Sequence, residues 1–178
     1  MNKWFPIRTA RLVLREFKAT DESDVHEYGS DLAASRFVLW SPNTPKDTHD
    51  VLSDRLDKQR TWPRKEVDLA LQLSSEEKII GSISLNIESS ADPIASLGYV
   101  VNPRYWGQGY ATEATDALLS CASRVLRLHR VWATCDVRNV ASWRVMEKVG
   151  MRREAVFRRD VLQKGEWRDS YLYAKLEQ

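Results

Sequence analysis

The sequence predicts a mixed α/β fold in one domain, with a mostly antiparallel sheet interrupted by one parallel strand pair. Three observations carry this. Residues 67–73, 79–87 and 94–101 alternate or cluster apolar side chains and are separated only by the short polar breaks 74–78 and 89–93, so they pair as consecutive antiparallel strands. Ala114, Ala117, Leu118, Cys121, Ala122, Val125 and Leu126 recur at helical spacing, and a β-rich run at 131–137 follows. That helix therefore links two parallel strands by a right-handed crossover. Finally, Gly107 and Gly109 stand one residue apart at the start of the same helix. Such a turn points several N–H groups into one concavity, where the positive end of the helix dipole favours an anion.

Each element follows from local chemistry. Residues 11–17 alternate charged and apolar side chains, with Leu12 and Leu14 opposite Arg11, Val13 and Arg15, as a half-buried first strand would. Thr20 ahead of Asp21, Glu22 and Asp24 reads as the cap of a first helix. Thr44, Pro45 and Asp47 start a second, running to about Arg60, whose sparse apolar positions Val51, Leu52 and Leu56 keep it at the surface. Trp40 and Trp62 flank that helix, either packing it onto the sheet or lining an acceptor groove. Asn139 and Ser142 open a last helix that buries Ala141, Val145, Met146 and Val149 and ends at Gly150. Residues 154–162 and 167–176, joined through Lys164 and Gly165, form a closing hairpin.

Composition excludes several classes of function. The 178 residues fit a single domain, and 43% hydrophobic with 29% charged residues is ordinary globular usage. A net charge of +2 gives no bulk attraction to nucleic acid or to an anionic membrane. Cys121 and Cys135 lie in no C-x-x-C pair, so reduced thiols are expected, with neither a metal site nor a disulfide. The N-terminal stretch lacks the apolar core of a signal peptide, and no run approaches a membrane span, so a cytoplasmic location is expected. The glycine turn is not a Rossmann loop, because Thr112 stands where the third glycine would be, and it is not a Walker loop, because no G-K-[ST] is present.

The residues do match another pattern. Leu97 to Val101, Asn102-Pro103, then Arg104-x-x-Gly107-x-Gly109-Tyr110-Ala111-Thr112-Glu113-Ala114, resembles the acetyl-coenzyme A signature of the GNAT superfamily of N-acetyltransferases. Asn139-x-x-Ser142, with Glu147-Lys148-x-Gly150-Met151, resembles its companion motif. The opening Arg11-Leu-Val-Leu-Arg15 and the closing Lys164-Gly165-x-Trp167-x-Asp169-x-x-x-Tyr173 are similar to the RimJ/RimL branch, the ribosomal-protein alanine acetyltransferases.

The resemblance implies a GNAT-type sheet of six or seven strands with about four helices, splayed at the parallel pair. It implies acetyl-coenzyme A as donor and a primary amine as acceptor, either a protein N-terminus or a small molecule, in a monomer or homodimer. The pantetheine arm would pair with main-chain groups of Tyr99, Val100 and Val101. The pyrophosphate would take N–H groups from Arg104, Tyr105, Trp106, Gly107, Gln108, Gly109, Tyr110, Ala111 and Thr112. Asn139, Ser142 and Met146 would flank the arm and its thiol end, and an N–H near Val100 would meet the oxyanion. Many relatives place a proton-donating tyrosine where this chain has Met146, so Ser142 is nominated instead. Ser96 stands where many relatives carry a basic Glu, which leaves Asp160 or a water relay to take the amine's proton. Those two replacements also keep open an acyl-coenzyme A sensing module without turnover.

Overall fold

The computed structural model describes residues 5–88 and 93–176. Its strands are β1 (Ile7–Arg8), β2 (Leu12–Arg15), β3 (Glu66–Leu73), β4 (Ile79–Ile87), β5 (Ile94–Val101), β6 (Arg130–Asp136), β7 (Arg152–Gln163) and β8 (Glu166–Leu176). The helices are α1 (Glu22–Gly29), α2 (Pro45–Lys58), α3 (Tyr110–Arg124) and α4 (Val140–Lys148). All eight strands join one sheet in the order β1-β2-β3-β4-β5-β6-β8-β7. The count exceeds the expected six or seven because the two residues of β1 turn back onto Val13 and Leu14, a pairing too short to leave an alternation in the sequence.

The parallel pair is short. β5 and β6 pair only at Ile94 with Arg130, Ala95 with Val131 and Ser96 with Trp132. Beyond Ser96 the two strands part, while β5 stays paired to β4 as far as Val101 opposite Gly81. β6 stays paired to β8 throughout. The sheet therefore opens at the C-terminal ends of β5 and β6, leaving a wedge between two strands that are each supported from behind.

The main core lies between the sheet and the α3/α4 layer, with Leu12, Leu14, Leu69, Leu71, Ile83 and Leu118 fully buried. On the other face Phe17, Val25, Tyr28, Leu52, Ala70 and Ile79 form a smaller cluster under α1 and α2. At about 25 cal/mol per Å² of apolar surface, two such layers supply the main drive to fold.

Local details depart from expectation. Thr20 caps nothing: residues 19–21 form a 3-10 turn, and the buried Asp21 carboxylate is held by the Lys18 N–H and the Arg15 guanidinium, each at 2.8 Å. Thr44 does cap α2, accepting from the Asp47 N–H while Asp47 takes the Thr44 N–H. In α4, Ala141 is exposed and Met146 is buried, as is Val149 just past the helix end. α3 stops at Arg124, two residues short of the end of its apolar stripe, and leaves Val125 41% exposed. Residues 89–92 of the expected break after β4 lie outside the described residues.

Candidate functional site

The glycine turn sits at the mouth of the wedge. Asn102 caps a 3-10 turn at Pro103–Tyr105, and the chain then passes Gly107 (φ 73°) and Gly109 (φ 85°) into α3. These are left-handed conformations that a side chain strains to adopt. A Cβ on Gly107 would meet nothing within 4 Å, and one on Gly109 would meet only the Arg11 Nη2 at 3.5 Å. The space beside both glycines is open. The first helical hydrogen bond runs from the Glu113 N–H to the Gly109 carbonyl at 3.0 Å. Among the described residues, no protein acceptor takes the N–H groups of residues 107–112. Six main-chain donors at the positive end of a fifteen-residue helix suit a pyrophosphate.

The side chains of this stretch build the turn and are spent on it. The Trp106 indole donates to the Val101 carbonyl at 2.6 Å, and Tyr105 meets Tyr110 edge to face with ring centres 6.2 Å apart. The Gln108 amide returns to the Arg104 carbonyl at 3.3 Å. The Arg104 guanidinium reaches to Glu27 of α1 at 2.9 Å. These contacts leave the main-chain N–H groups of residues 107–112 as the donors without a protein partner among the described residues. Ala111 packs against the main core, while Thr112 shares an open groove with Gly109, Asp116 and Lys148.

One cation at this loop was not legible in the sequence. Arg11, just before β2, donates from Nε to Glu113 at 2.8 Å and from Nη1 to the Gln108 carbonyl at 3.0 Å, and its guanidinium lies 4.3 Å from the centre of the Tyr110 ring. Glu113 also takes the Arg11 N–H at 2.8 Å and the Thr9 hydroxyl at 2.6 Å. The loop is clamped to the first strands from across the molecule.

Alternation along β5 decides which main-chain groups face the wedge. The Asn102 N–H donates to the Ile80 carbonyl of β4 at 2.7 Å, and a Cβ on Gly81 would lie 2.2 Å from the Val100 carbonyl. Even-numbered residues of β5 thus turn their N–H and C=O groups to β4, and Leu97, Tyr99 and Val101 turn theirs to the wedge. This corrects the expectation for Val100, whose main-chain groups are used in the ladder and whose side chain packs under α1 and α2. The N–H groups free to meet an oxyanion are those of Tyr99 and Val101. The Val101 carbonyl is already taken by Trp106.

α4 forms the other wall of the wedge. The Asn139 side chain accepts from the Ser142 N–H at 3.2 Å and so caps the helix. Tyr99 points from β5 across to α4, where its hydroxyl lies 2.9 Å from the Ser142 carbonyl and 3.0 Å from the Ser142 Oγ. Burial holds the Tyr99 phenol well above the ordinary tyrosine range. Burial likewise pushes the Cys135 thiol, beside Ser142, up to about 11, so it stays a neutral thiol. Met146 is 1% exposed and belongs to the core behind this wall.

Asp160 is brought to neither wall. It lies exposed in a bulge of the edge strand β7, where residues 158–160 face the single residue Asp169. Arg159 has φ 48° there and donates its N–H to the Asp169 carboxylate at 2.9 Å. The bulge breaks the alternation from which an inward or outward direction would be read.

The opposite face of the wedge is polar. Ser82 pairs with Val100 and Ser84 with Gly98, placing both hydroxyls beside β5 under α2. Arg55 of α2 reaches this face, with Nη2 3.5 Å from the Ser82 Oγ and Nε 3.7 Å from Asp68. Loop 31–40 forms the rim with the β7–β8 turn, because Gln163 donates to the Val38 carbonyl and Lys164 to the Ser35 carbonyl, each at 2.7 Å. Trp62 is 76% exposed, so it does not pack α2 onto the sheet, while Trp40 is half-buried. Among the described residues, no cluster of three metal-ligating side chains occurs, and no helix is long and apolar enough to cross a membrane.

Comparison with known proteins agrees with this fold. Residues 11–152 match the Acetyltransferase (GNAT) domain family. The chain is 35% identical over 173 residues to the Bacillus subtilis N-acetyltransferase YnaD, covering 97% of each. A 100-residue stretch, 56% of this chain and 52% of the other, is 28% identical to the Escherichia coli ribosomal protein uS5-alanine N-acetyltransferase. A GNAT-family acetyltransferase from Bacillus anthracis superposes with a TM-score of 0.85 at 34% identity, covering 96% of this chain and 97% of that one.

Proposed function

This chain belongs to the GNAT acetyltransferase family and is an acetyl-coenzyme A-dependent N-acetyltransferase, and from that premise we propose that it acetylates a primary amine by direct attack in a ternary complex. The acceptor is a protein N-terminal α-amine or a small amine, the former supported by the likeness to the ribosomal-protein alanine acetyltransferase. The single observation that carries the reading is the set of unpaired N–H groups at residues 107–112, opening beside the wedge between β5 and β6.

Acetyl-coenzyme A, when bound, supplies an activated thioester. The chain's own residues do the rest. Main-chain donors of residues 107–112 hold the pyrophosphate without spending a side-chain cation. The Leu97 carbonyl and the Tyr99 main chain offer free groups along the wedge for an extended ligand, and Tyr99 or Val101 offers an N–H where negative charge develops. Ser142, held at the first turn of α4, is the hydroxyl that donates to the leaving sulfur. The acceptor enters from the α1/α2 face, past the rim that loop 31–40 and the β7–β8 turn form together. An amine arrives mostly protonated at neutral pH and must shed that proton before attack. Solvent water takes it, in keeping with the exposure of Asp160.

Substitution Gly109→Trp tests the cradle. It fills the open space beside the N–H groups, so acetyl-coenzyme A binding measured by calorimetry is lost while the fold, checked by circular dichroism, remains. Unchanged affinity in a folded variant would sink the phosphate assignment.

A further inference from the structure

The contact between Tyr99 and Ser142 holds two hydroxyl protons that can be arranged in two ways. Tyr99 carries one phenolic proton, and two oxygens of the same residue lie within its reach, the Ser142 carbonyl at 2.9 Å and the Ser142 Oγ at 3.0 Å. The carbonyl only accepts. When Tyr99 donates to the carbonyl, the second contact requires the proton of Ser142 itself, and the serine hydroxyl then points back at the phenol. When Tyr99 donates to Oγ, the serine proton is free to turn toward the wedge. In that second state the serine is also the better donor, because a hydroxyl that accepts one hydrogen bond gives a stronger one.

We propose that Tyr99 is a positioning residue for acetyl transfer, a two-state hydrogen-bond switch that orients the Ser142 hydroxyl toward the wedge as negative charge appears there. The inference rests on the reading of Ser142 as the hydroxyl that serves the leaving sulfur. The exchange breaks two hydrogen bonds, from phenol to carbonyl and from the serine hydroxyl to the phenol, and forms one from phenol to Oγ, while the freed serine proton takes the charge developing in the wedge as its new acceptor. No proton leaves either oxygen during the switch. Burial favours the neutral phenol, and Cys135 of β6, the titratable group that acts on it, is itself held neutral, so Tyr99 keeps its proton across the working range. This arrangement also accounts for Met146: with a phenol supplied from β5, the site does not depend on one at that position of α4, where the methionine is buried in the core.

The test is a double-mutant cycle of Tyr99→Phe, Ser142→Ala and both together. Phenylalanine keeps the ring and removes only the hydroxyl. Three readouts are taken: kcat from thiol release with a saturating amine, acetyl-coenzyme A affinity by calorimetry, and the thermal midpoint. Each single variant should lose about tenfold in kcat, the worth of one well-placed hydrogen bond, with affinity kept within about twofold. The double variant should be no slower than Ser142→Ala, because Tyr99 acts only through that serine. Full kcat in Tyr99→Phe overturns the switch, as does a double variant whose loss is the product of the two singles. Weakened cofactor affinity in folded Tyr99→Phe overturns it too, by making the phenol a structural pillar of the binding wall. The wild-type arm separates failures: a wild-type protein that releases no thiol with any amine overturns the acetyltransferase reading, whereas an active wild type beside an equally active Tyr99→Phe overturns the switch alone.

Discussion

Arg11 reads in the sequence as one charged position in an alternating strand, and nothing in its neighbours reveals that it reaches Gln108 and Glu113 about a hundred positions later. Sequence spacing sees contacts within an element; it does not see a guanidinium bridging two of them. Tyr99 hides its role in the same way, since alternation gives its direction but not the Ser142 oxygens it meets. Gly107 and Gly109 were legible because glycine marks a backbone requirement at its own position, and both adopt positive φ. Asp160 was legible only as a carboxylate on the right strand, and the bulge at 158–160 removed the alternation needed to aim it. Its exposure leads to a plain expectation: Asp160→Asn should keep kcat/KM within about twofold, measured across several pH values. A fall of about a hundredfold or more would instead make Asp160 the base.

Among the elements, the start of α3 depends on β1 and β2 as much as on its own turn. Glu113 accepts from the Thr9 hydroxyl, the Arg11 N–H and the Arg11 guanidinium, which fastens the first helical turn to the edge of the sheet. Burial alone would push the Glu113 carboxyl up, but these three donors outweigh it and hold it below its ordinary 4.5. A carboxyl with a lowered value in the folded state stabilises that state at pH above its unfolded value and loses the contribution as pH falls through the folded value. The clamp should therefore be intact near neutrality and weaken below 4.5. Thermal midpoint and acetyl-coenzyme A affinity of the wild type should both hold down to about pH 5 and drop between about pH 5 and about pH 3, and Glu113→Gln should start lower and change less over that interval. Equal acid sensitivity in the two proteins would show that the clamp does not hold the cradle. The two-residue β1, invisible to periodicity, gains its meaning here by leading the chain through Thr9 to this clamp.

Across the whole molecule, the architecture followed from patterning because each half of it has a distinct period. Strands at 67–101 alternate by two, α3 repeats at helical spacing, and a helix between two strands of one sheet fixes their parallel sense. The site is harder to read because it arises where regularity fails, in the wedge that opens after Ser96 and Trp132. In the proposed reading the cofactor meets mostly main-chain groups, whose chemistry is nearly independent of side-chain identity. The acceptor wall proposed above draws on side chains of loop 31–40, α2 and the β7–β8 turn, and the loop and the turn are joined by single hydrogen bonds such as Gln163 to Val38. That division explains why donor and fold were legible while the acceptor was not. The most direct test of an amine acetyltransferase is thiol release from labelled acetyl-coenzyme A with a panel of N-terminal peptides and small amines, each acceptor weighed by mass spectrometry. Amine-dependent thiol release with an acetyl mass added to one acceptor class is the predicted result. Tight acetyl-coenzyme A binding without thiol release or mass shift for any amine would contradict the account and leave a sensing module.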